Sequence, residues 1–138
     1  MKKRLLQLFI VPAIIFCIGS CSQGGGGGGG NGDEANLVVT LNPPAGSTQP
    51  AAPQIDFPLT VSITSTMPPQ GVTIDVKAAP DGSSTNFFSE SKSSTAANNN
   101  FTITGTPTGV VCVTTVTVTS KTKATNTVTL SYRYTRKP

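Results

Sequence analysis

The 138-residue chain contains no histidine and no tryptophan, only two tyrosines and three cysteines, and just six acidic residues. Without histidine the commonest general base and transition-metal ligand is missing, and no Ser-His-Asp set can form. Without tryptophan the strongest ring for stacking on a sugar is missing. The six carboxylates (Asp33, Glu34, Asp56, Asp75, Asp81, Glu90) are scattered apart from the pair Asp33-Glu34. They supply poorly the six to eight oxygens a calcium cage needs, and no spacing suggests an acid/base pair for glycoside cleavage. These absences exclude the usual enzymatic chemistries; we expect neither an enzyme, a cofactor nor a metal. The ten basic residues include Lys2, Lys3 and Arg4, and the remainder are dispersed with only Arg136-Lys137 adjacent. A basic face able to track nucleic acid is not expected.

The first twenty-one residues are the most informative. Met1-Lys2-Lys3-Arg4 precedes an apolar run from Leu5 to Ile18, broken only by Gln7 and Pro12, that closes on Ile18-Gly19-Ser20-Cys21. A charged start, a short apolar stretch and small residues at a junction are what an export machine reads, and the stretch is short for a membrane span. An ordinary secretory peptide or a short anchor would share the first two features. The cysteine directly after the small residues sets this junction apart, and Cys17 competes poorly because bulky Phe16 precedes it. Ile18-Gly19-Ser20-Cys21 resembles the lipobox of bacterial lipoproteins. That resemblance implies cleavage before Cys21, acyl chains such as palmitate on its thiol and new N-terminus, and anchoring in the bacterial cell envelope. Ser22 in place of the aspartate that retains lipoproteins inside points to the outer membrane. Two or three chains, at about 0.8 kcal/mol per buried methylene, would anchor the protein stably where one would hold only marginally.

Cleavage would leave seven basic against six acidic residues. It would also leave Cys112 unpaired, which excludes a disulfide framework within one chain. In Val110-Val111-Cys112-Val113 the thiol reads as a small buried hydrophobe rather than a reactive group. Seven consecutive glycines, Gly24 to Gly30, then lead into Asn31-Gly32-Asp33-Glu34. Such a composition behaves as a coil of roughly 20 Å mean span, a tether; a phosphate-binding loop would need a preceding strand, a Lys-Ser/Thr and a following helix. We divide the chain into a signal (1–20), a lipidated tether (21–36) and one domain (37–138).

From Leu37 the apolar residues recur with period two, and threonine and serine take the alternate places. That is the pattern of half-buried strands. Leu37-Val39-Leu41, Phe57-Leu59-Val61-Ile63, Val72-Ile74-Val76-Ala78 and Val128-Leu130-Tyr132-Tyr134 each mark one apolar face. A weaker, edge-type strand fits Asn86–Ser94, and Ala96–Asn100 reads as a loop. Phe101 and Ile103 begin a short strand. Val110–Thr119 forms a longer one whose parity falters at Thr114-Thr115, suggesting a bulge or a change of facing sheet. About seven strands and no helical periodicity predict an all-β antiparallel sandwich of immunoglobulin-like type, with an inner face that includes Val116, Val128 and Leu130. Tyr132 and Tyr134 fall on the core face, with hydroxyls expected at the rim.

Phe101-Thr102-Ile103-Thr104-Gly105-Thr106-Pro107-Thr108, followed by a Val/Thr-alternating strand, a polar turn and a last strand, looks like the closing half of bacterial immunoglobulin-like (cadherin-like) domains. The match spans roughly 101–135 and departs from the family at Gly109-Val110-Val111-Cys112. The resemblance implies an envelope or extracellular module in adhesion or spacing, with no catalytic residues. We therefore expect a monomeric envelope module with a structural, adhesive or protein-binding role, meeting a protein partner by strand addition at Asn86–Ser94. The alternative is a glycan-binding accessory lipoprotein using Phe87 or Phe88.

Overall fold

The computed structural model describes residues 33–138. Seven strands form in chain order: β1 (Val39–Asn42), β2 (Phe57–Ile63), β3 (Val72–Pro80), β4 (Phe88–Ser94), β5 (Asn98–Ile103), β6 (Val111–Ser120) and β7 (Thr127–Thr135). They build two antiparallel sheets, one ordered β1-β2-β5 and the other β4-β3-β6-β7. No helix of the described residues is long and apolar enough to cross a membrane.

The alternation seen in the sequence is the cause of this arrangement. Phe57, Leu59, Val61 and Ile63 of β2 and Val72, Ile74, Val76 and Ala78 of β3 point inward from opposite sheets, while Thr60, Ser62, Thr73 and Asp75 face out. Phe101, Ile103, Val116, Val118, Tyr132 and Tyr134 complete one apolar core between the sheets. All of it lies between Leu37 and Tyr134, so the sandwich closes on its own residues. The fold is an all-β antiparallel sandwich, as its periodicity predicts. Its fourth strand pairs with β3, whereas the constant-type immunoglobulin arrangement would place it beside β5. At the turn before β3, Gly71 has φ +78° and an added Cβ would run into the carbonyl oxygen of Ser94, so the position requires glycine.

Four expectations need correction. β6 contains no bulge: its pairing with β3 and β7 runs without interruption, and Cys112, Thr114, Val116, Val118 and Ser120 alternate inward throughout. Thr114 is an inward residue that happens to be polar. Residues 98–100 are not loop but the start of β5, with Asn99 buried and its amide donating to the Ala96 carbonyl (2.9 Å). Val128 and Leu130 pack against the core but are only partly buried, because β7 is the edge strand of its sheet. The Tyr134 hydroxyl does not reach the rim; it meets the Thr106 hydroxyl at 3.1 Å with both groups buried.

One feature carried no periodic signal. Between β1 and β2, residues 46–52 run parallel to β7: Gly46, Gln49 and Ala52 donate to the carbonyls of Ser131, Arg133 and Thr135, and Arg133 and Lys137 donate back to Ser47 and Ala52. The chain thus leaves one sheet after β1 and covers the margin of the other.

Candidate functional site

Cys21, the acylation site expected from the sequence, lies outside the described residues. What the structure defines is where the chain enters the domain and which surfaces the domain leaves open.

Entry is fixed by a polar clamp. Glu34 accepts from Ser120 Oγ (3.0 Å) and from Asn126 Nδ2 (2.5 Å), the same amide donates to the Ala35 carbonyl, and Asn126 Oδ1 accepts the N–H of Leu37. Ser120 and Asn126 flank the β6–β7 hairpin, so Glu34 and Ala35, assigned by sequence to the tether, are held against the domain. The entry pole also carries the β2–β3 loop and the β4–β5 turn. The far pole carries the β1–β2, β3–β4 and β5–β6 connections and residues 136–138.

Two clefts lie toward the far pole. The first, about 160 Å³, is apolar and sits between Pro43, Pro50, Ala52, Phe57 and the two tyrosines. The Phe57 and Tyr134 ring centres are 4.5 Å apart, so the rings pack on each other rather than presenting a free face. The second, about 370 Å³, opens on the outer face of the four-stranded sheet beside Lys77, Asp81, Thr115 and Arg133. There Arg133 Nε donates to Asp81 Oδ2 at 3.1 Å, an exposed pair worth about 0–1 kcal/mol.

The carboxylates are not brought together. Asp75 faces out from β3, Glu90 stands opposite Val76 on the other side of the same sheet, and Asp56 is exposed before β2. Among the described residues no group of three or more His, Cys, Asp or Glu side chains could hold a metal. Phe87 and Phe88 are both half-buried and packed on the core. Burial pushes the Cys112 thiol up, and the thiol donates to the Val110 carbonyl. Burial likewise pushes Tyr132 up and Tyr134 up to about 12, with the hydroxyls of Thr114 and Thr106 respectively acting in the opposite direction. Tyr132 Oη and Thr114 Oγ1 nonetheless lie buried without a hydrogen bond of normal geometry.

The remaining open features are sheet margins. β4 and β5 each pair on one side only, and both lie on the same flank of the sandwich. Compared with known proteins, the chain matches no family model, no curated protein and no solved structure. The functional reading therefore rests on the residues themselves.

Proposed function

We infer that this protein is a lipid-anchored bacterial envelope protein, acylated on Cys21 and held in the outer membrane, whose sandwich is an immunoglobulin-like module with a structural, adhesive or protein-binding role. The observation that carries the reading is the junction Gly19-Ser20-Cys21 closing an apolar run behind Lys2-Lys3-Arg4. The glycine run and the clamp at Glu34 support it: a tethered domain needs a compliant segment and a defined point where that segment ends. The segment that resembles the immunoglobulin-like family, Phe101–Thr108, forms the second half of β5 and the loop after it. Binding through backbone pairing suits a surface of threonine and serine with unpaired strand margins, and the half-buried Phe87 and Phe88 speak against the glycan alternative.

The test is metabolic labelling with a palmitate analogue in a bacterial host, combined with intact mass. The full chain is expected to carry lipid and to begin at residue 21; Cys21→Ala is expected to carry none. A labelled Cys21→Ala protein would reject the anchor, and protease shaving of intact cells reports which leaflet the domain faces.

A further inference from the structure

The four sheet margins are not equivalent. That of β7 is covered from Ser131 to Lys137 by residues 46–52. That of β1 is four residues long and ends at Pro43-Pro44. β4 is longer, but Glu90 and Lys92 occupy its inward register positions opposite Val76 and Ile74, a pattern that discourages an added strand. β5 has none of these guards: Asn98-Asn99-Asn100-Phe101-Thr102-Ile103 holds no charge, no proline and no bulge.

Its bonding pattern shows which groups are free. Ile63 N–H donates to Ala97 O, so antiparallel alternation makes 61/99, 59/101 and 57/103 the bonded pairs of β2 with β5. Pro58, which has no N–H, falls opposite Thr102 in an unbonded pair, consistent with that phase. Asn98, Asn100 and Thr102 therefore direct their N–H and C=O groups away from β2, and no backbone group of the described residues bonds to them. Asn98 and Asn100 side chains accept from Ser62 and Thr60 on the outer face, which is polar there.

We propose that this margin pairs with the β5 of a second copy of the same chain, antiparallel and centred on Asn100. The three free positions are symmetric about Asn100, so 100 meets 100 and 98 meets 102, and a two-fold axis satisfies all of them at once. The strand carries no charge to repel its image, and with seven basic and six acidic residues beyond Arg4 the chain has little net charge to keep copies apart. The pairing joins two three-stranded sheets into one of six. Its small area makes it weak in solution and effective where copies are concentrated on a surface.

Orientation follows from the same register. Asn98 lies toward the entry pole and Ile103 toward the far pole, so antiparallel pairing places the two Glu34 clamps at opposite ends of the pair. A nine-residue strand such as β7 is about 30 Å long. Two copies so paired face opposed membranes rather than standing side by side on one. This orientation rests on the anchored reading of the chain; the pairing itself does not.

The test uses residues 33–138, which close their own core. Asn100→Cys should oxidise to a disulfide dimer about tenfold faster than Ser91→Cys on β4, because bonded antiparallel partners lie within disulfide reach and the native Cys112 is buried. Equal rates, or no Asn100→Cys dimer, would overturn the pairing. Coupled at the residue-33 end through a histidine tag to vesicles bearing nickel-chelating lipid, the wild type should cluster them. Asn100→Lys, with an unchanged β-type circular dichroism spectrum, should not, since it sets like charges face to face. Clustering that survives Asn100→Lys overturns the pairing, and cross-linking without clustering overturns the opposed orientation. A failure to find lipid on Cys21 would sink the anchor and leave both cross-linking outcomes standing.

Discussion

The phenol of Tyr134 is held neutral by its surroundings: burial raises it to about 12, against an ordinary value near 10, and Thr106 shares its hydrogen bond. For a group whose folded-state value lies above the unfolded one, the stabilisation is complete below the unfolded pKa and is lost as pH rises through the folded one. Stability should therefore fall between about pH 10 and 12, as the unfolded chain ionises and the folded chain resists. Urea midpoints measured across that range should decline, and Tyr134→Phe should decline less steeply while losing about 1 kcal/mol at neutral pH with its hydrogen bond. A wild-type midpoint independent of pH up to 12 would contradict this. At this scale the sequence was legible for apolar side chains and misleading for polar ones. Asn99, Thr106 and Thr114 are buried, and an alternation rule that scores hydrophobicity sees each as an interruption.

Among the strands, β2 and β3 declare themselves most clearly, because β2 alternates throughout and β3 from Val72 to Ala78, and both lie against the opposite sheet. Ile74 is completely buried there, and Ile74→Ala should cost about 2–5 kcal/mol. Leu130 reads the same way in sequence, yet β7 leaves it only partly buried, so Leu130→Ala should cost clearly less; denaturant midpoints of the two variants rank them. Identical losses would mean that Leu130 is as enclosed as Ile74. β4 was legible only as a weak segment, since five of its seven residues are exposed, and the parallel run of 46–52 was not legible at all. That run is held by backbone groups, which leave no trace in side-chain periodicity.

For the molecule as a whole, Glu34 fixes the incoming chain at one pole, and the unpaired margin of β5 runs along the flank from that pole to the other. The strand order could not be read from the sequence because period two states which face is buried and not which strand is the neighbour. The ladder of residues 46–52 on β7 has a mechanical meaning. The chain enters at one pole and residues 136–138 lie at the other, so traction applied between the two ends draws 46–52 and β7 in opposite directions along their common axis. All the bonds of that parallel ladder then bear load together in shear instead of opening one by one like a zipper. Ala52→Pro removes the N–H that donates to Thr135 and should lower the unfolding force in single-molecule pulling, with a smaller effect on the chemical midpoint. An unchanged rupture force would place the resistance elsewhere; a lowered one would mark this margin as the brace that carries load through a small domain from one end of the chain to the other.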